Sequence, residues 1–324
     1  MRARSFFRVF PPPAFLAMPY AGVDISDDAV KCLTYSGFGR ERRIASYGSM
    51  DLPEGLIDGG DIKDEKAFVE LMTGFARRHG LTFVKVSVPE EKSYLFQTEV
   101  PDPGSADIEQ NIEFKIEENV PLSGPDAVFY FDLVPRAAEP EPPRASVSVV
   151  PRTYIEHYMG LLESAGMKPV AFEVVPKSIA RAAIPAGQTG AMLIIHAMKR
   201  KTGIYVVSGD AVSFASTLSN APSGEGEGSV RAIESIGKEA SRIYSYWLSH
   251  GTGRAIDGII LVGAAARELQ GIGRFIADAR SIPVRVAGVW ANVFDIDRYI
   301  PPITEKESLG YAVAAGLALD PSLS

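Results

Sequence analysis

The sequence predicts an α/β fold of two related halves, with a smaller α+β module inserted into the first half. Strands and amphipathic helices alternate along most of the chain, which is typical of this class. A strand–turn–strand unit at residues 22–34 is repeated in outline at 194–207. Between these units, residues 94–150 contain a strand, a helix and two further strands in close succession. We expect the two halves to face each other across a cleft, with the turns of both units pointing into it.

The first half opens with strands. Three are predicted at residues 20–23, 30–34 and 44–49, with turn residues between them. Apolar residues recur at helical spacing over 65–79 and predict a helix there, which Gly80 is placed to end. A further strand over 83–88 stops at Pro89.

The inserted module comes next. It is predicted as a strand at 94–100, a helix at 107–119, strands at 128–134 and 146–150, and a helix at 153–165. Ile108, Ile112 and Ile116 share one face of the first helix and belong to the core of the module. Residues 138–144 are rich in proline and glutamate, so we predict an irregular linker there.

The remaining elements build the second half. A strand at 168–175 and a short helix at 177–183 lead into it. Its strands are predicted at 191–196, 203–208, 212–218, 258–262 and 284–286, and its helices at 230–249 and 265–279. Residues 220–229 are rich in glycine and are predicted as the most flexible stretch. A largely apolar helix over 307–319 closes the chain.

These elements predict four segments. They are an N-terminal arm at 1–19, a first subdomain at 20–91 completed by 168–186 and the C-terminal helix at 305–324, the inserted subdomain at 92–167, and the second half at 187–304. The arm mixes arginines with phenylalanines. It can pack on the first subdomain or contact anionic lipid.

Composition excludes several classes of function. The 324 residues include 33 lysines and arginines against 40 aspartates and glutamates, a formal net charge of −7, whereas nucleic-acid-binding proteins usually carry a basic face. Cys32 is the only cysteine, so neither an internal disulfide nor a cysteine-based metal site can form. No apolar run approaches the ~18–20 residues that span a bilayer. Arg8 and the three prolines at 11–13 interrupt any secretory signal.

Several ordered motifs carry a resemblance to a known family. They are Gly22-Val23-Asp24-Ile25-Ser26 with Val30-Lys31, residues 52–55 with 60–62, the module at about 94–166, Glu173 with Ala180-Arg181-Ala182, Leu261-Val262-Gly263-Ala264-Ala265, and the helix at 310–319. In this order and spacing they resemble the actin/Hsp70-type ATPase superfamily, and within it the PilM family of type IV pilus assembly proteins, relatives of FtsA. The resemblance implies an actin-like ATPase (ribonuclease H-like duplicated) fold with an inserted strand–helix–strand–strand (SHS2-type) subdomain.

The resemblance also implies a set of nucleotide-binding residues. They are Asp24, Ser26, Lys31, His196, Thr202, Gly263 and Ala264. The residue types alone leave alternatives open, because Asp24 can be a turn cap, Lys31 a solvated lysine and His196 a core histidine. No residue is predicted to be catalytic or to ligate a metal, since the sequence has no G-x-S-x-G elbow and no histidine pair at metal spacing.

Four departures from the family pattern bear on chemistry. Ser26 replaces a glycine, His196-Ala197-Met198 replaces D-x-G, Val262 replaces the first of two glycines, and Val175 stands where an acidic residue is often found. Imidazole is a poor partner for Mg²⁺, which prefers oxygen. Hydrolysis needs magnesium, a positioned water and phosphate clamps together. We therefore expect ATP with Mg²⁺ to be bound weakly or not at all, with little or no hydrolysis.

The resulting prediction is a cytoplasmic scaffold of the type IV pilus assembly platform, peripheral to the inner face of the cytoplasmic membrane. The resemblance implies that it docks the cytoplasmic N-terminal peptide of a PilN-type single-span membrane protein, in a groove lined by parts of 83–88, 94–100 and 107–119. It would contact other platform proteins, and it would reach the membrane only indirectly. An active ATPase of the same family, a small-molecule kinase of the superfamily and a cytoplasmic component of a type II secretion platform are the alternatives.

Overall fold

A computed structural model of the chain describes residues 20–37, 41–102, 108–135, 142–188, 190–222, 227–250, 255–276 and 282–319. The predicted N-terminal arm and most of the predicted linker at 138–144 lie outside these ranges, as does part of the predicted flexible stretch at 220–229. The chain divides into two compact units. Among the described residues, the first unit combines those of 20–89, 156–182 and 289–319, and the second combines those of 90–155 and 183–288.

Helices and strands alternate as the sequence predicts. The strands are β1 Ala21–Ile25, β2 Ala29–Ser36, β3 Arg43–Asp51, β4 Ile57–Asp58, β5 Asp61–Ile62, β6 Phe83–Val88, β7 Tyr94–Glu99, β8 Ala127–Leu133, β9 Arg144–Pro151, β10 Lys168–Val174, β11 Ala191–Ala197, β12 Thr202–Ser208, β13 Ala211–Leu218, β14 Ile256–Val262 and β15 Val284–Val286. The helices are α1 Glu65–His79, α2 Ile108–Asn119, α3 Arg152–Ser164, α4 Val175–Ala183, α5 Glu227–His250, α6 Glu305–Ser308 and α7 Ala312–Ala318.

The main sheet of the first unit has the order β3-β2-β1-β6-β10. Its first three strands run antiparallel as a meander, and β6 and β10 continue parallel to β1. The helix predicted over 65–79 has those bounds, with the Asp64 carboxylate accepting from the Ala67 backbone N–H at 3.0 Å and Gly80 ending it at φ 65°. The left-handed φ explains why glycine is needed at that end.

The main sheet of the second unit repeats this plan. Its order is β13-β12-β11-β14-β15, with an antiparallel three-stranded meander followed by two parallel strands. When the strands are numbered within each sheet, both sheets therefore have the order 3-2-1-4-5 with the same strand directions. The prediction of two related halves is confirmed.

The inserted module forms a small sheet with the order β7-β9-β8 in the second unit. Its core joins Ile112 and Ile116 of α2 to Ala145, Val147 and Val149 of β9, all fully buried. Alternate residues of β9 thus face α2, as the two-residue period of a strand requires. The strand–helix–strand–strand order is the one expected from the sequence.

Two helix predictions are wrong in detail. The α-helix predicted at 265–279 is replaced, over its described residues, by two short 3₁₀ turns at Ala266–Leu269 and Ile272–Phe275. Gly271 and Gly273 lie at this break, and glycine disfavours a helix interior by about 1 kcal/mol. The closing helix predicted at 307–319 is divided into α6, a 3₁₀ turn and α7.

Helix α7 lies in close backbone contact with α4 and with β1, the strand that leads into the β1–β2 turn. A Cβ atom on Gly22 of β1 would overlap the Ala314 carbonyl oxygen, and one on Gly316 would overlap the Ser178 carbonyl oxygen of α4. Both glycines are therefore needed for close backbone approach. Among the described residues, no helix combines the length and apolar character that a membrane crossing requires.

Candidate functional site

Asp24 lies near the end of β1, beside the turn at residues 26–28 that connects β1 to β2. We call this turn the first phosphate turn, because the resemblance implies that residues around it bind nucleotide. Its carboxylate accepts a hydrogen bond from the Ser87 hydroxyl at 3.0 Å, and the same hydroxyl accepts from the backbone N–H of Ile25 at 2.9 Å. Ser87 is buried on the neighbouring strand β6. Asp24 is thus fixed to the sheet by a partner 63 residues away, which the sequence did not reveal.

Ser26 closes the turn between β1 and β2. Its hydroxyl donates to the Ala29 carbonyl at 2.9 Å and accepts from the Ala29 N–H at 3.2 Å, while its own backbone N–H donates to the same carbonyl at 3.0 Å. The resemblance implies that Ser26 binds nucleotide, but its hydroxyl is engaged within the turn.

Lys31 is the register partner of Asp24 on β2. Its Nζ donates to the Gly310 carbonyl at 2.8 Å and lies 5.8 Å from the centroid of the Tyr311 ring. The ammonium group thus ties β2 to the 3₁₀ turn between α6 and α7. This contact lies where the closing helix is interrupted.

Asp27 is a site residue that the sequence analysis missed. It occupies the Ser/Thr position of the family motif G-[IV]-D-[IL]-G-[ST], so the signal was present in the sequence. Its carboxylate accepts from the backbone N–H groups of Gly59 and Gly60, at 3.2 Å and 3.1 Å. The Gly60 carbonyl in turn accepts from the Tyr158 hydroxyl at 3.2 Å. The β4–β5 turn is therefore held against the β1–β2 turn by a carboxylate.

Glu173 and Arg181, which contribute to the family resemblance, form an ion pair within the first unit. The guanidinium donates to both Glu173 oxygens, at 2.9 Å and 2.5 Å, and to the Gly316 carbonyl at 2.7 Å. The Ser178 hydroxyl donates to Glu173 at 2.7 Å. The acidic group is thereby engaged in joining β10, α4 and α7, a structural role.

The second predicted turn connects β11 to β12. The Met198 N–H donates to the Lys201 carbonyl at 3.0 Å, which closes the turn. The Ala197 carbonyl accepts from the Ala265 N–H at 3.3 Å and lies directly under Gly263, whose φ is +99°. A larger residue at Gly263 would collide with this carbonyl, so glycine is required there for packing.

The other predicted residues of this half have separate surroundings. His196 is buried, and its ring centroid lies 6.5 Å from that of Tyr205. The buried Thr202 hydroxyl donates to the Asn220 carbonyl at 2.9 Å. Ala264 is exposed beside Gly263.

An acidic cluster unforeseen from the sequence lies beside the second turn. The hydroxyl of Tyr205, a fully buried residue on β12, donates to the Glu90 carboxyl group, and a Cβ on Gly203 would overlap that hydroxyl. Burial and then the neighbouring Glu91 raise the pKa of the Glu90 carboxyl. Lys201 pairs with Glu91 at 2.5 Å. Lys201 of the turn is thus neutralised by an acidic residue of the chain itself.

The second unit also holds a cavity of about 430 Å³ along α5. It is lined by Leu218, Arg231, Glu234, Ser235, Lys238, Glu239 and Arg242. Lys238 pairs with Glu234 at 2.7 Å and Arg242 with Glu239 at 2.6 Å, so much of its charge is compensated internally.

The predicted site residues form two groups, one in each unit. Asp24, Ser26 and Lys31 share the β1–β2 hairpin, whereas His196, Thr202, Gly263 and Ala264 surround the β11–β12 turn and the end of β14. Across the described ranges, no group of three or more histidine, cysteine, aspartate or glutamate side chains is arranged to hold a metal ion. The Ser26 and Thr202 hydroxyls and the N–H groups of Ser26 and Met198 already bond within the chain, so these donors do not fit a nucleotide phosphate.

Comparisons with known proteins place this geometry in context. A chain of a PilM–PilN type IV pilus biogenesis complex is similar, with a TM-score of 0.74 at 17% sequence identity, over 93% of this chain and 98% of that chain. The cytoplasmic domain of EpsL, an inner-membrane component of the type II secretion system of Vibrio cholerae, has a TM-score of 0.47 at 13% identity, over 91% and 94% of the two chains. MreB 5 of Spiroplasma citri bound to AMPPNP has a TM-score of 0.47 at 10% identity, over 94% and 95%. A search of curated proteins found no match.

The repeated 3-2-1-4-5 topology and the first of these structural matches confirm the predicted actin-like fold. The family model described as type IV pilus assembly protein PilM matches residues 22–214, which is more than half of the chain. The match includes the first phosphate turn, the inserted module and the second turn. The chain therefore belongs to the PilM family of type IV pilus assembly proteins.

Proposed function

We propose that this protein is an actin-like scaffold of the type IV pilus inner-membrane platform that docks the cytoplasmic tail of a PilN-type membrane protein. The observation that carries the proposal is the PilM family match over 22–214, which contains all three segments predicted to line the docking groove. The fold of a chain from a PilM–PilN complex extends over 93% of this chain and supports the same function.

The predicted groove segments offer suitable groups for peptide recognition. In the small sheet, β7 is an edge strand, so its backbone can pair with an extended peptide. On α2, Phe114 is 71% exposed, and Tyr94 of β7 is also exposed. Exposed aromatic side chains are frequent anchors in interfaces, because they bury a large area at a low entropic cost. We infer that a short apolar motif of the partner, of the N-L-L-P type, contacts these two residues.

The same proposal includes a nucleotide site that has lost hydrolysis. Its support is the engagement of Ser26 within its own turn and the imidazole of His196 at a position where the family has an aspartate. The protein would then work as a cytoplasmic platform component, held at the inner face of the cytoplasmic membrane by its partner and in contact with other platform proteins.

A peptide-binding measurement tests the docking. A fluorescent peptide with the first residues of the PilN-type partner is titrated with the full chain and followed by anisotropy. We expect saturable binding that Phe114→Ala weakens about tenfold, as a hot-spot loss of ~1.4 kcal/mol requires. Tyr130→Ala is the matched control, because Tyr130 is 57% exposed in the same module but lies on β8, outside the predicted groove. Absence of binding at high micromolar peptide would count against the docking.

A phosphate-release assay tests the loss of hydrolysis. With ATP and Mg²⁺ present, we expect release no faster than in protein-free buffer. Turnover that an Asp24→Ala variant abolishes would instead identify an active ATPase of the same family.

A further inference from the structure

The first phosphate turn carries an acid where its family motif has a hydroxyl. Asp27 accepts two backbone N–H groups, from Gly59 and Gly60, in the manner in which a bound anion accepts N–H groups in a turn. A phosphate oxygen brought to this turn would meet a like charge and would have to compete for donors that are already satisfied.

The second turn shows the same arrangement with different residues. Glu90 accepts from the buried hydroxyl of Tyr205, and Glu91 pairs with Lys201. The Met198 N–H is used to close the turn. Lys201 and the Met198 N–H, two groups of this turn that could neutralise or cradle a phosphate, are thus bonded to a side chain and to the backbone of the chain.

We infer that the chain's own carboxylates, Asp27 in the first turn and Glu91 in the second, take the contacts that a phosphate brought to each turn would need. The inference rests on the proposed loss of nucleotide hydrolysis and names the residues responsible. Each turn thereby holds its conformation without ATP. The scaffold binds its partner in a nucleotide-independent way.

The electrostatic argument has a definite sign. Two unit charges 4 Å apart interact by about 1 kcal/mol in water and by about 4 kcal/mol at the effective dielectric of a protein surface. Removing one carboxylate charge should therefore strengthen phosphate binding by about fivefold or more, and removing two should have a larger effect. Serine at position 27 would also restore the motif hydroxyl as a donor.

Nucleotide titration of restored variants tests the inference. Binding of ATP with Mg²⁺ is measured by calorimetry for the wild type, Asp27→Ser, Glu91→Gln and the double variant. We expect no saturable binding by the wild type at about 1 mM ATP. The double variant should bind with a dissociation constant at least about tenfold below that concentration. The control is Glu70→Gln with Glu163→Gln, which removes two exposed helical charges elsewhere and should leave the wild-type result unchanged.

Thermal unfolding gives a second readout that needs no enzymatic turnover. ATP with Mg²⁺ should raise the Tm of the double variant and leave that of the wild type unchanged, since only a ligand that binds the folded state shifts it. Glu91→Gln keeps an acceptor for Lys201, so it serves where Asp27→Ser fails to fold.

Two outcomes overturn the inference. One is tight wild-type ATP binding that the variants do not improve. The other is absence of binding in every folded variant, which would mean that these carboxylates are not what excludes the nucleotide. Peptide binding measured on the same variants with and without ATP separates this inference from the proposed docking, because either can fail while the other holds.

Discussion

The Glu173–Arg181 ion pair shows how one residue can join three elements. Its side chains are only 20% and 14% exposed, and the guanidinium also bonds the Gly316 carbonyl. Removing one partner of a largely buried pair leaves an uncompensated charge, which costs about 3–5 kcal/mol. We therefore expect Glu173→Ala to lower the free energy of unfolding by about that amount, measured by urea denaturation.

An exposed pair provides the control for this measurement. Arg231 and Glu227 lie 3.1 Å apart on α5, with side chains 79% and 89% exposed. Exposed pairs contribute at most about 1 kcal/mol, so Glu227→Ala should change stability little. Equal losses for the two substitutions would show that Glu173 does not carry the structural role assigned to it.

Glu90 should give the second unit a measurable pH dependence. Burial raises the pKa of its carboxyl group, so the folded state binds a proton more tightly than the unfolded state does. The groups that face it are the Tyr205 hydroxyl, the Glu91 carboxylate and the Lys201 ammonium. This contribution is favourable at acidic pH and is lost as the pH rises from the unfolded pKa through the folded one.

The Glu90→Gln variant tests this sign. It keeps an acceptor for the Tyr205 hydroxyl but cannot titrate, so the loss of stability between about pH 4 and the raised pKa of Glu90 should be smaller than in the wild type. Urea midpoints recorded across this range measure the difference. Parallel pH profiles for the two proteins would contradict the assignment.

Most functional candidates could be found in the sequence, whereas their partners could not. Asp24 and Lys31 are visible as parts of a motif, but their hydrogen bonds reach Ser87 and Gly310, which are 63 and 279 residues away. Asp27 was visible as a departure from the motif, and its effect became clear only from the two glycine N–H groups that it accepts. Long-range contacts of this kind leave no local pattern.

At the scale of elements, close backbone packing of α7 depends on glycine. A Cβ atom at Gly316 would overlap the Ser178 carbonyl oxygen, which cannot move without shifting α4. We expect Gly316→Ala to destabilise the protein by about 1–3 kcal/mol, the usual cost of overpacking. Chemical denaturation measures the loss.

A glycine in open space gives the opposite expectation. Gly160 lies on the exposed side of α3, and a Cβ there would meet no atom within 4 Å. Gly160→Ala should therefore stabilise the protein by about 0.5–1 kcal/mol, because alanine has the higher helix propensity. If both substitutions had the same sign, packing at Gly316 would not be the determining factor.

Element prediction failed where glycine and long-range bonding outweigh apolar periodicity. In the first unit, α1 and β6 were predicted to the residue, because capping and periodicity agree there. Over 265–279 the apolar residues recur as in a helix, yet two glycines favour separate 3₁₀ turns. Near 307–319 a 3₁₀ turn at Leu309–Tyr311 coincides with the long-range Lys31–Gly310 hydrogen bond, and the apolar pattern indicates neither.

At the scale of the whole molecule, the duplication was predictable because one strand–turn–strand pattern occurs twice. The continuation of each sheet by two parallel strands was not, since those strands come from distant parts of the sequence, β6 and β10 in one unit and β14 and β15 in the other. Chain order alone also does not reveal that the inserted module groups with the second unit.

The chain path between the units predicts cooperative unfolding. Helix α3 begins in the second unit and ends in the first, and α4 crosses back at its last residue. Unfolding either unit therefore breaks the helical hydrogen bonds of an element that the other unit needs. We expect one urea transition for the whole protein, as in other cooperative folds.

Cys32 and Trp247 allow each unit to be followed separately. Cys32 is fully buried on β2 of the first unit, and burial raises the pKa of its thiol to about 12, so it should react with a thiol reagent only after unfolding. Trp247 is buried on α5 of the second unit, and a Trp290→Phe background leaves it as the only tryptophan. In that background, the midpoints from thiol labelling and from Trp247 fluorescence should coincide. A separation of more than about 1 M urea would mean that the units unfold independently, because two-state unfolding requires all probes to report the same transition.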